Sequence, residues 1–368
     1  MFFSFLIAIP LSFFYRSQKN HNEIFFLGHK YDENISQIVK LINSSKSFDY
    51  QYCTVVLRDF LAYKKSNLNC LYLLSPVTWV RLINSKIIIS LHGIYYHKIF
   101  KYFSKSTTVY LAHAFRTGYQ EKTNNMLYQF DEVWISTNYE KEIYVKQANY
   151  TKKNIYVLGY PKYDALKNYK LNSFKNNINM VDQKKFFKIV TIAPTRNLRN
   201  KDLKGNEFSV RNIQFLIAID NLAKKLNILF ILSLHPTAED FSSNIKKFIS
   251  NSKNIYSAKD LGLNNTLESL AISDCLLTDY STVSIDNLFF ENELIILKTS
   301  IDNKLSFLNV LEDFNYFVCT KFTELETLIV KPRKNILKNE LNKKYIGFQN
   351  DYVNSERCFD RIKSLIEN

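Results

Sequence analysis

Glycine is scarce in this 368-residue chain, with seven in all. None is arranged as Gly-x-Gly-x-x-Gly or as a Gly-Lys-Ser/Thr loop. The dinucleotide fingerprint and the P-loop are therefore excluded, since both need bare backbone against a phosphate. The five cysteines (Cys53, Cys70, Cys275, Cys319 and Cys358) are scattered, odd in number and never spaced C-x-x-C. That excludes a disulfide framework and structural zinc, and it suits a reducing cytosol. With no Asp-x-Asp pair and no His/Cys cluster either, no metal and no cofactor is expected. No apolar run reaches the roughly 20 residues that span a bilayer. Zinc-finger spacing, an RNP-like aromatic strand and a dense arginine run are all missing, so no nucleic-acid partner is expected.

What is present is an ordinary globular composition, 46% apolar, in a chain long enough for two α/β domains. Tyrosine (24) and phenylalanine (29) are abundant, but in a chain this rich in Lys, Asn and Ile they carry no functional inference. The formal charge of +15 points to nucleic acid, anionic lipid or an acidic substrate. With nucleic acid set aside, phosphate-rich small substrates and an anionic membrane surface remain. Residues 2–15 are almost wholly apolar and are followed by Arg16 and Lys19, without the basic start and small-residue cleavage site of a signal peptide. This run is either an interfacial membrane anchor (residues 1–19) or a first element of the core.

Short apolar runs alternate with helix-period segments along the chain, the pattern of mostly parallel α/β sheets. Strands are expected at 23–27, 51–56, 70–74, 86–91, 108–111, 132–135 and 154–158, with helices between them, for example at 35–43 and 140–148. Residues 167–185 are rich in Lys and Asn and lack periodicity, which reads as a linker. A second alternation follows, with strands at 187–192, 228–234, 275–277 and 294–297 and helices at 210–225, 241–250, 284–291 and 322–330. An amphipathic helix at 356–367 closes the chain. The expected division is a first lobe at 20–168, a linker at 169–186, a second lobe at 187–345 and a closing helix at 346–368. Two doubly wound Rossmann-type lobes would face a central cleft, and in such sheets ligands bind outside the carboxyl ends of the strands.

Five clusters rich in His, Arg, Lys and hydroxyls follow strands. They are Tyr110-Leu111-Ala112-His113, Gly159-Tyr160-Pro161-Lys162-Tyr163-Asp164, Ala193-Pro194-Thr195-Arg196, Ser233-Leu234-His235-Pro236 and Thr278-Asp279-Tyr280-Ser281-Thr282. Three of the six prolines lie in them. The side chains suit phosphate handling. Ser281 or Thr282 can cap a helix whose exposed N–H groups and dipole attract an anion. His235, held by Pro236, can donate to a phosphate oxygen, while Arg196 and Lys162 add positive charge and Thr195 a hydroxyl. Each has a plainer reading as a strand end, a cap or a solvated charge. Asp164, Asp279 and Asp286 fit best as supports for loops and helix starts.

These segments resemble the CDP-glycerol glycerophosphotransferases, the family that builds teichoic acids and related capsule polymers. Members show Gly-x-Pro-Arg-x-Asp, Ala-Pro-Thr-x-Arg, His-Pro and Asp-Tyr-Ser-Ser segments, the last followed by Asp in a helix. Here the matching stretches are Gly159 to Asp164, Ala193 to Arg196 (one residue shorter), His235-Pro236, and Asp279 to Thr282 with Asp286. Ile24-Phe25-Phe26-Leu27-Gly28 with Asn34 resembles the family's start, and the order holds across about residues 20–300. Lys162 stands where the family has Arg, and Thr282 where it has a second Ser. The resemblance implies a GT-B-like fold, with the first lobe as acceptor lobe and the second as nucleotide-donor lobe, and a first-lobe histidine as general base. His113 matches by its position before Asp131-Glu132-Val133-Trp134-Ile135-Ser136, without the family's neighbouring Trp, Gly and Pro. His92-Gly93 keeps a His-Gly pair earlier in the chain and is the alternative base.

The expected activity is transfer of glycerol phosphate, or a related polyol phosphate, from a CDP-activated donor to a hydroxyl of a lipid-linked or polymeric glycan acceptor. It would serve teichoic-acid-like or capsular polysaccharide synthesis, in a cytoplasmic protein held peripherally at the inner face of the cell membrane. A sugar-nucleotide glycosyltransferase or epimerase of the same fold is the alternative, since two-lobed folds host many chemistries. A non-catalytic binding lobe is the third reading.

Overall fold

The computed structural model describes residues 1–15, 23–28, 31–54, 57–65, 68–112, 115, 127–148, 154–166, 186–194, 208–210, 212–234, 243–279, 281–297, 316–331, 344–347 and 351–367. Residues 167–185, which read as a linker, lie outside them. The chain divides into two compact units, Met1–Ala165 with Lys344–Asn368, and Leu166–Lys343.

In the first unit, β1 (Glu23–Leu27), β2 (Asp49–Thr54), β3 (Cys70–Tyr72), β4 (Ile87–Ser90), β5 (Thr107–Leu111), β6 (Glu132–Ile135) and β7 (Ile155–Val157) form one sheet in the order β3-β2-β1-β4-β5-β6-β7. Every pairing is parallel, with Leu27 opposite Ser90 and Ser90 opposite Tyr110. The strands lack in/out alternation because helices cover both faces: all of Ile87–Ser90 and Glu132–Ile135 is buried. Between the strands run α2 (Glu33–Ser45), α3 (Leu57–Lys65), α4 (Pro76–Asn84), α5 (His97–Phe103) and α6 (Asn138–Ala148). Asp32 starts α2 by accepting from the Ile35 amide at 3.0 Å, and Lys46, in the left-handed region at φ 51°, ends it.

The apolar N-terminal run forms α1 (Phe2–Tyr15). One face packs on α4, with Phe5, Ala8 and Ser12 fully buried and the Phe5 ring 5.0 Å from that of Trp79. The opposite face, with Phe3, Ile7, Leu11 and Phe13, is exposed. The run thus has a core face and a solvent-facing apolar face at once, a division the sequence does not reveal because apolar residues lie on both faces and the polar Ser12 is on the buried one.

The chain returns to this unit in α12 (Asn354–Glu367). Cys358, Phe359 and Ile362 enter the core beneath the sheet. Arg361 pairs with the buried Glu132 carboxylate and lies 4.1 Å over the Tyr156 ring. The helix therefore belongs to the first sheet, although the second unit separates them in sequence.

The second unit holds β8 (Lys188–Ile192), β9 (Ile228–Leu232), β10 (Ile255–Ser257), β11 (Cys275–Thr278), β12 (Glu293–Leu297) and β13 (Phe317–Cys319), all parallel, in the order β10-β9-β8-β11-β12-β13. Its helices are α7 (Ile213–Leu226), α8 (Ser243–Asn251), α9 (Thr266–Ala271), α10 (Val283–Asn287) and α11 (Phe322–Val330). Asn212 caps α7 through the Gln214 amide at 3.0 Å, and Asn227, at φ 55°, closes it. The edge strands β10 and β13 were not expected from the sequence. Each has three residues, only one of them buried, so neither produces an apolar run. All five cysteines are free and buried.

Candidate functional site

In the second unit β9, β8 and β11 are neighbours, and hydrogen bonds tie their carboxyl ends together. The Ser233 amide donates to Ile192 O at 3.0 Å, the Ala193 amide to Leu277 O at 3.0 Å, and Thr278 Oγ1 to Ala193 O at 2.6 Å. The segments Ala193-Pro194, Ser233-Leu234 and Thr278-Asp279 therefore leave the sheet side by side. Thr195, Arg196 and His235, which follow the first two, lie outside the described residues.

Beyond β11, Asp279 is fully buried, and Ser281 and Thr282 are half-buried at the start of α10. The expected side-chain cap is weak. Thr282 occupies the cap position with helical dihedrals and makes no side-chain cap bond, while Ser281 Oγ accepts from the Val283 amide at 3.4 Å. Ser281 O instead accepts from Ser284 Oγ at 2.8 Å and the Ser284 amide at 3.1 Å. Asp286 lies within α10, half-buried.

The first unit assembles its motif differently. Gly159, at φ +83°, leads from β7 into a 3₁₀ turn, Pro161–Ala165. Its bare Cα is required by close approach, because a Cβ there would come within 1.8 Å of Asn354 Oδ1. The Asp164 carboxylate accepts from Asn354 N at 3.0 Å, Asn354 Nδ2 at 2.7 Å, Ser355 N at 2.6 Å and Ser355 Oγ at 2.5 Å. It holds the N-terminus of α12.

Lys162 is buried, with its ammonium 5.0 Å over the Tyr163 ring and 5.8 Å over that of Tyr160. Its amide donates to Asn34 Oδ1 at 3.0 Å, joining the family-like start of the chain to this turn. Burial pushes the Asp32 carboxyl up to about 6, against the pull of its hydrogen bonds from Ile35 and Asn34 and the nearby Lys162 charge.

His113 lies outside the described residues. Ala112, just before it, is pinned by donation from its amide to Trp134 O at 3.1 Å. His92 follows the neighbouring strand β4, where Ser90 Oγ donates to His92 O at 2.6 Å and accepts from the His92 amide at 3.2 Å. His92 lines a cavity of about 250 Å³ with Leu27, Gly28, Leu73, Ser90, Gly93, Ile94, Tyr95 and Gln129. Sequence reading missed Gln129, which sits between unremarkable neighbours and reaches the cavity only through the fold. Among the described residues, no group of three or more His, Cys, Asp or Glu side chains is placed to hold a metal ion.

The model of a protein family described as CDP-Glycerol:Poly(glycerophosphate) glycerophosphotransferase matches residues 10–362. No curated protein matches the chain by sequence. Among solved structures, a variant of the wall teichoic acid polymerase TagF is 16% identical, with 98% of this chain and 93% of that chain covered and a TM-score of 0.73. A TagF variant soaked with CDPG is 17% identical over the same shares, with a TM-score of 0.71. The UDP-GlcNAc 2-epimerase of Methanocaldococcus jannaschii, in complex with UDP-GlcNAc and UDP, is 14% identical, with 94% and 99% covered and a TM-score of 0.59. These likenesses give the fold, two parallel α/β units of the GT-B-like kind.

Proposed function

Because the chain belongs to the CDP-glycerol:poly(glycerophosphate) glycerophosphotransferase family, we propose that it transfers glycerol phosphate from CDP-glycerol to a hydroxyl of a teichoic-acid-like or capsular acceptor. The observation that carries this reading is the adjacency of β9, β8 and β11. Three motif segments far apart in sequence leave that sheet at tied neighbouring ends, where an open parallel α/β sheet takes its ligand.

In this reading the donor diphosphate lies against the second unit. His235, Thr195, Arg196, Ser281 and Thr282 contact its oxygens, Lys162 adds positive charge, and Asp279 and Asp286 support the α10 start. His113 takes the proton from the acceptor hydroxyl, and the resulting oxygen attacks the phosphorus distal to cytidine. The bond from that phosphorus to the bridging oxygen breaks, and CMP leaves with the negative charge, which the cationic and hydroxyl donors stabilise.

Membrane association is part of the same proposal. Among the described residues no helix is long and apolar enough to cross a membrane. The outer face of α1 is nonetheless apolar, with Phe3 79% exposed, in a chain of charge +15. An interfacial helix on a basic protein suits an anionic bilayer surface and a lipid-linked acceptor on the cytoplasmic side.

The test is incubation with CDP-glycerol, CDP-ribitol and UDP-sugars in the presence of a glycerol-phosphate-primed acceptor. CMP release dependent on CDP-glycerol is expected. UDP release or sugar isomerisation would replace this reading with the sugar-nucleotide alternative, and no turnover of any nucleotide would favour a non-catalytic role.

A further inference from the structure

The cavity lined by His92 and Gln129 has a composition that selects its ligand. Among the described residues that line it, none is Lys, Arg, Asp or Glu. A diphosphate or phosphate buried there would meet no charged partner among these residues, a costly arrangement. Leu27, Leu73 and Ile94 supply apolar wall, and Gly28, Ser90 and Gly93 keep the site open. Burial pushes the Tyr95 phenol up, so it remains a neutral hydroxyl. A few hydrogen-bonding groups in an apolar pocket are how proteins hold small neutral ligands in one orientation.

The polar groups are fixed in place. Leu91 N donates to Leu27 O at 3.2 Å, and Ser90 Oγ holds both the amide and the carbonyl of His92, so the turn carrying His92 is tied to the end of β1. Gln129 arrives from the segment leading into β6. Its Oε1 accepts from the Ile94 amide at 3.0 Å, which orients the amide group. Nε2 is then the donor this side chain offers the cavity, and among the described residues it has no acceptor.

We propose that this cavity seats the neutral polyhydroxylated end of the acceptor, a glycerol, ribitol or sugar unit, with Gln129 Nε2 donating to one of its hydroxyls beside His92. This rests on the transferase reading above. It assigns the cavity to acceptor recognition, with the donor held by the second unit.

The test is saturation-transfer NMR on the full chain without donor, using glycerol, ribitol and N-acetylglucosamine as probes; the strongest signal identifies the unit. Gln129→Glu keeps the oxygen that accepts from Ile94 but removes the donor. It should weaken polyol binding about 10-fold, the effect of one lost hydrogen bond of roughly 1.4 kcal/mol, without lowering the melting temperature. Leu73→Phe narrows the cavity without touching either polar group and should also weaken the contact. Equal contact in both variants, no contact in the wild-type protein, or displacement of the polyol by inorganic phosphate would overturn the proposal. CDP-glycerol turnover is followed separately. Its absence from a protein that binds polyol in this way would count against the transferase reading alone.

Discussion

Asp164 and Ser355 lie 191 positions apart, yet the Asp164 carboxylate accepts from both the amide of Ser355 at 2.6 Å and its hydroxyl at 2.5 Å. With Asn354 making two further bonds to Asp164, the turn after β7 holds the first turn of the final helix. An acidic side chain in this position satisfies helix N–H groups that have no partner within the helix. Asp164→Ala should destabilise the first unit by about 2–4 kcal/mol, because several donors lose their acceptor at once. Urea melts, with amide exchange over residues 354–367, check this. Unchanged protection of those amides would show that the helix is held by its apolar face alone.

Gly159 approaches the same helix so closely that no side chain fits. Gly159→Ala should cost at least about 2 kcal/mol, from the strained φ and the displacement of Asn354. A further Asn354→Gly change relieves the clash but not the φ strain, so partial recovery in the double variant is the expected outcome of a thermal melt.

The two faces of α1 predict opposite phenotypes. Phe5→Ala empties a buried site against Trp79 and should lower stability by about 3–5 kcal/mol. Phe3→Ser with Ile7→Ser should leave the melt nearly unchanged but reduce flotation with anionic liposomes. Equal flotation of that pair and the wild-type protein would remove α1 from the membrane proposal. Deleting residues 1–15 would not separate these effects, since it uncovers α4.

Asp32 carries a pH dependence whose direction follows from its raised pKa of about 6. Between about pH 4 and 6 the folded chain holds a proton there that the unfolded chain has lost, so this group's contribution is greatest below about pH 4 and is lost as pH rises through 6. Asp32→Asn keeps an oxygen for the Ile35 amide and carries no charge. Relative to wild type it should gain up to about 3 kcal/mol between pH 4 and 7. A constant difference in melting across that range would mean that the wild-type carboxylate is well solvated.

The base assignment separates by what each variant changes. His113→Ala should leave donor affinity nearly unchanged and cut CMP release by roughly 100-fold. His92→Ala should act mainly on the acceptor KM, with a smaller loss of turnover. A larger turnover defect in folded His92→Ala protein would make His92 the base.

The sequence alone determined the parallel α/β class and most strands along the chain, because buried parallel strands are short unbroken apolar runs and helices show a 3.6-residue period. Glu23–Leu27 and Glu132–Ile135 needed no correction. The family was legible too, since motif residues stand in order along the chain whatever their contacts. Local pattern carries no information about partners distant in sequence. It could not say that Asp164 holds Ser355, that Asn34 meets the amide of Lys162, or that the closing helix returns to the first sheet. Nor could it divide α1 into a packed face and an exposed one, or bring Gln129 to the cavity beside His92. Those are choices among apolar and polar surfaces that compete only once the sheets exist, and tertiary packing made them.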